Sequence, residues 1–285
     1  MEVLGAENLS RISWLVHGFS ARRGGVSSAY GPKSLNLGFT KTDTHTNVEQ
    51  NRSLFLKSIR AYGRDRKLWP LVTMRQVHSD IIHRVTEAPE THLAGDGLVT
   101  DTPGLVLAVQ TADCLPVVLV DQERHAVGVF HAGWRGTVKR IVEKGVGEMR
   151  RFFGTEPQDI QAAIGPGIHA CCYQVGEEVR TKFESQFEYG SELFRETKES
   201  DEIHERYPLL FLTARAPGHS ELPSKLFLDL VEANRRQLEA VGVPRKNVSA
   251  SELCTSCRSD LLFSHRADKG MTGRMMAAVG IQEGR

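Results

Sequence analysis

Three strand-like runs that follow one another closely set the strongest limit on how this chain can fold. They span residues 105–110 (LVLAVQ), 115–120 (LPVVLV) and 126–130 (AVGVF). Short apolar runs bounded by polar residues are typical of buried strands. The polar residues 121–125 predict a turn, so we expect the last two strands to form a hairpin. The chain is therefore predicted to contain a β-sheet, with the motif TADC at 111–114 at the mouth of its middle run.

The pattern changes to helical spacing after the third run. Apolar residues recur at intervals of three and four from Val138 to Phe152, which predicts an amphipathic helix after the motif HAGWRG. Residues 189–224, which are charged and then rich in proline, glycine and threonine, are expected to form a surface excursion. The same criteria predict strands at 160–165 and 273–281 and helices at 175–187 and 226–243.

These elements do not follow the strict strand-helix-strand order of a doubly wound sheet. No internal repeat, low-complexity tract or linker divides the sequence. We therefore predict the α/β class in its α+β form, with mixed β-sheets, as a single domain over residues 1–285.

The balance of charges bears on the partners of the chain. Thirty-six basic and 35 acidic residues leave a net charge of +1, so no overall field favours nucleic acid or an anionic membrane. A small-molecule substrate is the better expectation. No apolar run approaches the roughly 20 residues of a membrane span, the amino end lacks a secretory signal pattern, and five cysteines in a long chain fit reduced thiols. We expect a cytoplasmic protein that is a monomer or a weak homo-oligomer.

Three soft ligands stand near the ends of predicted elements. They are His78 in MRQVHSD, Cys114 in TADC and His131 in FHAGWRG. Catalytic zinc sites use three protein ligands and leave a fourth position for water or substrate, a pattern that two histidines and one thiolate would suit. The separations of these residues match no short metal signature. A small buried cysteine and two histidines bonded to neighbouring backbone explain the same residues equally well.

Two glycine-containing segments predict anion binding. In HAGWRGT (131–137) the glycines permit close backbone approach, and the planar guanidinium of Arg135 suits phosphate or carboxylate. Arg75 lies three residues before His78 and is a second candidate. The segment HGFSARRGGVSS (17–28) has a similar composition. For each segment, a tight turn with a solvated arginine is the alternative.

A series of motifs in a fixed order resembles one known family. They are HGFSARRGGVS, SLNLG, RQVHS, TADCLPVVL, HAGWRGT, GPGIHACCYQVGEEV, LDL, CTSC, FSHR and GRMMAAVGI, running from about residue 15 to the carboxyl end. Together they resemble the multicopper polyphenol oxidase or laccase-domain family. The resemblance implies one α/β domain of sheets layered against helices. It also implies purine nucleoside phosphorylase activity with accompanying adenosine deaminase activity, and one branch of the family is described as a peptidoglycan editing factor.

The resemblance also implies residue roles. It implies a zinc ion held by His78, Cys114 and His131. Copper is another possibility, because mixed nitrogen and sulfur sites bind copper more tightly than zinc. We hypothesise that Asp113 orients a ligand, accepts a proton or positions the nucleophile. Arg75 and Arg135 are the candidates for binding phosphate, and Asn36 in SLNLG for contacting substrate. The expected substrates are phosphate and a purine nucleoside such as adenosine, inosine or methylthioadenosine.

Other functions remain open at this point. A copper-dependent polyphenol oxidase needs more clustered histidines than the 11 scattered ones of this chain. A hydrolase with Cys114 as nucleophile and His131 as base would suit editing of a peptidoglycan precursor. A binding module would hold a structural metal at a closed site. A four-thiolate site is a further alternative to reduced, partly buried thiols, and would use Cys171, Cys172, Cys254 and Cys257.

Overall fold

The computed structural model describes residues 2–91, 93–198 and 224–283. Its contacts divide the chain into a larger unit, Met1–His169 with Leu230–Arg285, and a smaller unit, Ala170–Asp229. Along the described chain the strands are β1 (Val3–Leu4), β2 (Leu15–Ser20), β3 (Arg23–Ser27), β4 (Leu71–Val72), β5 (Ile82–Arg84), β6 (Gly97–Thr100), β7 (Val106–Thr111), β8 (Leu115–Asp121), β9 (Ala126–Ala132), β10 (Ile160–Ile164), β11 (Gln174–Val175), β12 (Phe194–Lys198), β13 (Ser224–Leu228), β14 (Val248–Ala250) and β15 (Met275–Ile281). The α-helices are α1 (Glu7–Ser10), α2 (His45–Ser58), α3 (Trp134–Val138), α4 (Ile141–Phe153), α5 (Glu177–Gln186) and α6 (Leu230–Ala240).

Two mixed sheets form the centre of the larger unit. One has the strand order β1-β2-β15-β7-β4 and the other β14-β10-β8-β9-β6-β5. Their inner faces share one hydrophobic core, in which leucine and valine side chains of β7 and β15 pack with those of β6, β8 and β9. Strand β8 is buried along its whole length, which agrees with the continuous apolar run of its sequence.

Helices cover the outer faces of these sheets. Phe55 and Leu56 of α2 pack on the first sheet, against side chains of β7 and β15. On the second sheet, α4 lies so close to β9 that a Cβ on Gly145 would come within 2.5 Å of the Phe130 ring. Arg140, with φ 64°, separates α3 from α4. The larger unit is therefore a layered arrangement of helix, sheet, sheet and helix.

The smaller unit has its own sheet and aromatic core. Strand β13 lies between β11 and β12, and both pairings are antiparallel. The Phe183 ring of α5 contacts the rings of Phe187 and Phe194. Within the part of the chain that is described, no helix has the length and apolar character needed to cross a bilayer.

The predicted fold class is confirmed: the chain is a mixed α/β protein. The predicted hairpin is β8 and β9, which pair from Leu115 opposite Ala132 to Asp121 opposite Ala126. One assignment is wrong, because the predicted helix at 226–243 begins as strand β13 and becomes helical only at Leu230. The alternation of buried Leu226 and Leu228 around half-buried Phe227 is a strand pattern that the helical spacing of the later residues obscured.

The predicted surface excursion at 189–224 is described only in part. Residues 190–193 form a 3-10 helix and 194–198 form β12. Residues 199–223 lie outside the described part of the chain.

Candidate functional site

The β8–β9 hairpin brings Cys114 and His131 together. Cys114 immediately precedes β8, and His131 near the end of β9 lies opposite Pro116 in the register of the pair. His78 comes from the loop between β4 and β5, with its Nε2 4.0 Å from the Cys114 Sγ. One ligand atom from each of His78, Cys114 and His131 lies within 4.8 Å of the other two. Cys114 is partly exposed, whereas His131 is buried and His78 is exposed, so the group opens to solvent on the His78 side.

The backbone around the group leaves no spare room. A Cβ on Gly133 would stand 2.8 Å from the Cys114 Sγ and 3.3 Å from His78 Cδ2, so only glycine fits there without displacing a candidate ligand. His78 and Asp113 both have left-handed backbone, with φ 56° and φ 89°. Residues other than glycine rarely adopt this backbone conformation unless their surroundings hold it. Those that do adopt it cluster at functional sites.

A buried carboxylate, Asp96, touches both histidine segments. Its Oδ1 accepts hydrogen bonds from the His131 ring Nδ1 at 2.8 Å and the His78 backbone N–H at 3.1 Å. Its Oδ2 accepts from the backbone N–H groups of Val77 at 3.2 Å and Ser79 at 2.6 Å, and from the Ser79 hydroxyl at 2.7 Å. Asp96 precedes β6 in the sequence GDG, where it resembles an ordinary turn residue, so no motif or spacing in the sequence pointed to it.

Burial, charges and hydrogen bonds shift the pKa values of three side chains at this site. Burial raises the pKa of the Cys114 thiol, but the charge of His131 and hydrogen bonds with both histidines outweigh burial and lower it to about 6. Burial lowers the pKa of His131, but the Cys114 thiolate and Asp96 outweigh burial and raise it to about 9. Burial raises the pKa of Asp96, yet hydrogen bonds from His131 and Ser79 lower it to about 2. The thiolate, which is the form that binds metals, is therefore favoured at neutral pH.

Asp113 turns its carboxylate to another part of the larger unit. Its Oδ1 accepts hydrogen bonds from the hydroxyls of Thr255 at 2.6 Å and Ser264 at 2.7 Å, and its Oδ2 accepts from the backbone N–H of Arg266 at 2.7 Å. These bonds join the start of β8 to the segment that follows β14. The contacts fit a residue that positions Cys114, which is one of the three roles hypothesised for it, better than one that takes up a proton.

The two candidate phosphate-binding arginines differ from Asn36 in their exposure. Arg75 and Arg135 are exposed, and the Arg135 guanidinium lies 4.5 Å from the centre of the Trp134 ring. Asn36 is fully buried: its amide donates to the Gly38 carbonyl and to Asp43, and its oxygen accepts from the backbone N–H of Gly38 and Arg274. These hydrogen bonds stabilise a loop and none of them joins Asn36 to the three ligands, so its contact with substrate stays a prediction.

The second predicted anion segment takes part in the fold, and the other cysteines are divided between the two units. Arg22 forms an ion pair with Asp268 at 3.1 Å and donates to the backbone carbonyl of Ser259, beside a cavity of about 700 Å³. Its guanidinium is thus used in the fold. Cys171 and Cys172 belong to the smaller unit, and Cys254 and Cys257 to the larger one, so the four-thiolate site stays a hypothesis.

The donor group fits a divalent ion of the zinc type. Imidazole nitrogen and thiolate sulfur are the donors that zinc prefers, and bond lengths of about 2.0–2.3 Å place two donors of a tetrahedral ion about 3.6 Å apart. The 4.0 Å between Cys114 Sγ and His78 Nε2 needs only a small closure to reach this value. Three protein ligands would leave a fourth position for water or substrate.

The fold and the site together define a mixed α/β protein with a two-histidine, one-cysteine donor group at the end of a β-hairpin. The chain belongs to the multi-copper polyphenol oxidoreductase laccase family, whose model matches residues 16–282. It is 37% identical over 278 residues to a protein of Geobacillus stearothermophilus named purine nucleoside phosphorylase YlmD, covering 94% of this chain and 90% of that one.

Two further similarities cover nearly the same length. A protein of an unknown prokaryotic organism named adenosine deaminase RL5 is 34% identical over 273 residues, which cover 93% of each chain. The crystal structure of the Bacillus licheniformis hypothetical protein YfiH superposes with a TM-score of 0.80 at 33% identity, covering 98% of this chain and 96% of that one. The family resemblance of the sequence motifs is thereby confirmed.

Proposed function

We propose that this chain is a zinc-dependent purine nucleoside phosphorylase with accompanying adenosine deaminase activity. The observation that carries the proposal is the group formed by His78, Cys114 and His131, open to solvent on one side. It occurs in a chain whose relatives are named for these two activities. The reduced thiols expected from the sequence favour the cytoplasm as its location.

Phosphorolysis transfers a ribosyl group to phosphate. A phosphate oxygen bonds to the anomeric carbon of the ribose while the bond to the purine nitrogen breaks, and the base takes up a proton as it leaves. The products are the free purine and ribose 1-phosphate. Arg75 and Arg135 would bind and orient the phosphate, and the Trp134 ring against the Arg135 guanidinium reduces the conformations that this side chain must give up on binding.

Deamination of adenosine is a hydrolysis that yields inosine and ammonia. A divalent ion held by His78, Cys114 and His131 would supply a Lewis acid that lowers the pKa of water, the nucleophile of this hydrolysis. His131 is held by Asp96 through Nδ1 and faces Cys114 with its other nitrogen, so its ring is fixed in orientation. The exposed His78 lies at the side from which a substrate would approach.

The direct test is a product assay on metal-quantified protein. Adenosine is incubated with and without phosphate, and adenine, inosine and hypoxanthine are separated by chromatography. We expect adenine or hypoxanthine only with phosphate, and inosine in both samples. If the zinc-loaded protein forms none of these products, the proposal fails.

Variants of the arginines separate the two reactions. Loss of a charged hydrogen bond to phosphate costs about 1.5–3 kcal/mol, so Arg75→Ala and Arg135→Ala should raise the KM for phosphate about tenfold or more. Their deaminase rate should be unchanged, because that reaction uses no phosphate. Arg150→Ala, an exposed arginine of α4, is the matched control and should alter neither reaction.

A second candidate function follows from the contact of Cys114 with His131. A thiol whose pKa is lowered by an imidazole, which is itself oriented by a carboxylate, is also the arrangement of a cysteine hydrolase. Under this alternative, the chain would edit a peptidoglycan precursor through an acyl-enzyme on Cys114. Mass-spectrometric trapping of that acyl-enzyme from a peptidoglycan peptide would support it. Copper-dependent oxidation of a phenol, at a rate comparable to nucleoside cleavage, would instead favour the oxidase.

A further inference from the structure

One residue outside the three candidate ligands connects two of them. Asp96 is fully buried, and its carboxylate accepts five hydrogen bonds from the segments that carry His78 and His131. Its backbone is tied to the same surroundings, because its N–H donates to the Ile81 carbonyl and its carbonyl accepts from the His131 N–H at 2.7 Å. Both carboxylate oxygens and the carbonyl of Asp96 therefore accept hydrogen bonds from residues 77–79 or from His131.

We propose that Asp96 is the positioning residue of this site, which fixes the ring orientation of His131 and the backbone of His78 so that both histidines can bind one metal ion with Cys114. The inference rests on the metal site of the proposed function and adds a residue that the sequence motifs did not identify.

The contact with His131 acts on the imidazole ring itself. A carboxylate oxygen 2.8 Å from Nδ1 holds a proton on that nitrogen, so Nε2 is the ring nitrogen that faces Cys114 and would bind the metal after releasing its own proton. Ring nitrogens that donate to a carboxylate in this way fix both the tautomer and the orientation of a metal-binding histidine. Without the carboxylate, the ring can turn and present either nitrogen.

The contact with His78 acts on the backbone. Three successive N–H groups, those of Val77, His78 and Ser79, point at one carboxylate, and His78 has left-handed backbone. The His78 side chain is exposed, so packing contributes little to its placement. The three hydrogen bonds keep this strained turn in the one conformation that aims His78 at Cys114.

The arrangement requires a carboxylate and excludes an amide. Both oxygens of Asp96 face donors, since Oδ1 accepts two hydrogen bonds and Oδ2 accepts three. Asparagine would turn one NH₂ group towards these donors, and it can satisfy only one side of the site. Asp96→Asn is therefore a nearly isosteric change that replaces one of the two accepting oxygens by a donor and removes the hydrogen bonds on that side.

Cobalt binding provides a test that does not depend on activity. Protein freed of metal is titrated with Co²⁺, followed by Zn²⁺ competition, and the thiolate-to-cobalt charge-transfer band and the visible cobalt bands are recorded. We expect Asp96→Asn to bind both ions 10- to 100-fold more weakly, which is the usual effect of removing an outer partner of a metal-binding histidine. We also expect altered cobalt bands, because a histidine that changes position changes the ligand field.

Asp121→Asn is the matched control. Asp121 is also a fully buried aspartate whose carboxylate accepts backbone N–H groups, those of Glu123 and Arg124, but it lies at the far end of β8 from Cys114. Its substitution should change thermal stability without changing cobalt affinity or spectrum. Equal weakening in both variants would mean that Asp96 acts only through general stability and would overturn the inference.

Ser79→Ala provides the test if Asp96→Asn does not fold. The variant removes one hydrogen bond to Asp96 Oδ2 and keeps the contact with His131. We expect a severalfold loss of cobalt affinity, and unchanged affinity would overturn the inference. The wild-type protein distinguishes the two proposals: if it binds neither Co²⁺ nor Zn²⁺, the proposed function itself fails, whereas wild-type binding with an unaffected Asp96→Asn removes only the role of Asp96.

Discussion

Single residues decide whether the three candidate ligands can converge. The donor atoms come from three separate parts of the chain, and a few neighbours set their spacing: Gly133 by its missing side chain, and Asp96 and Asp113 by their buried carboxylates. None of these neighbours needs to touch a substrate to matter.

Gly133→Ala should disturb the metal site before it disturbs the fold. The added methyl group would lie 2.8 Å from the Cys114 Sγ, so the sulfur must move away from the histidines. We expect at least about a tenfold loss of zinc affinity, comparable to the loss of an outer partner of a ligand, measured by competition with a chromogenic chelator. Gly147→Ala in α4, where nothing lies within 4 Å of the new methyl group, is the control and should bind zinc normally. Normal affinity in Gly133→Ala would contradict the crowding argument.

Asp113→Asn should distinguish a positioning residue from a proton acceptor. The carboxylate accepts from Thr255, Ser264 and Arg266, so its replacement should lower the free energy of unfolding by about 1–3 kcal/mol. Because we place it away from proton transfer, the pH profile of turnover should keep its shape. Urea unfolding and the pH dependence of kcat measure the two effects. A profile that loses one limb, in a variant of normal stability, would restore the proton-accepting role.

The three candidate ligands lie at the ends of secondary-structure elements or in the loops between them. Cys114 and His131 lie at one end of the β8–β9 hairpin, and His78 lies in the loop between two short strands. Away from the site, Asp43 performs a similar task at the start of α2. It accepts hydrogen bonds from Ser27 at the end of β3, from Asn36, and from Asn47 in the first turn of α2.

The hydrogen bonds of Asp43 should make the free energy of unfolding depend on pH in the acid range. Burial raises the pKa of Asp43, but its hydrogen bonds, with Ser27 the strongest, outweigh burial and hold that pKa below its usual value. The lowered pKa adds stability at pH values above about 4, where the carboxyl is ionised in the unfolded chain too, and this stability is lost as the pH falls through the folded-state pKa. We expect Asp43→Asn to be less stable at pH 7.

Urea midpoints of wild type and Asp43→Asn, measured from pH 7 to pH 2.5, test this expectation. Their difference should shrink below about pH 4 because the wild-type carboxyl then takes up a proton. Other acidic groups titrate in both proteins and cancel in the comparison. A difference that stays constant down to pH 2.5 would show that Asp43 acts through packing alone.

Metal binding should raise the thermal stability of the larger unit. All three candidate ligands belong to that unit, and an ion that binds only the folded state stabilises it by about 2.7 kcal/mol when its free concentration is 100 times the Kd. Removal of metal by a strong chelator should therefore lower the Tm by several degrees. Calorimetry measures the shift, and Cys114→Ala should show none. A chelator effect of equal size in Cys114→Ala would place the stabilising ion elsewhere.

The sequence alone determined the fold class, the central hairpin and the identity of the three candidate ligands. Local pattern was sufficient for the central strands β7, β8 and β9, because short apolar runs bounded by polar residues are typical of buried strands, but it was misleading at β13, which was predicted to be helical. The ligands were identified from motifs, since their spacing along the chain is not diagnostic. The predictions of a single domain over 1–285 and of the roles of the site residues remain predictions.

Only the tertiary structure decided which polar residues surround the ligands and where their side chains turn. Asp96 meets His131 across 35 positions of the chain, and Asp113 meets Thr255 and Ser264 across more than 140, so no local pattern contains these contacts. Asn36, which its motif made a candidate for contacting substrate, forms its side-chain hydrogen bonds with Gly38, Asp43 and the Arg274 backbone. The physical reason is common to all three: a buried polar group must find its partners, and the packing of distant segments determines which partners are within reach.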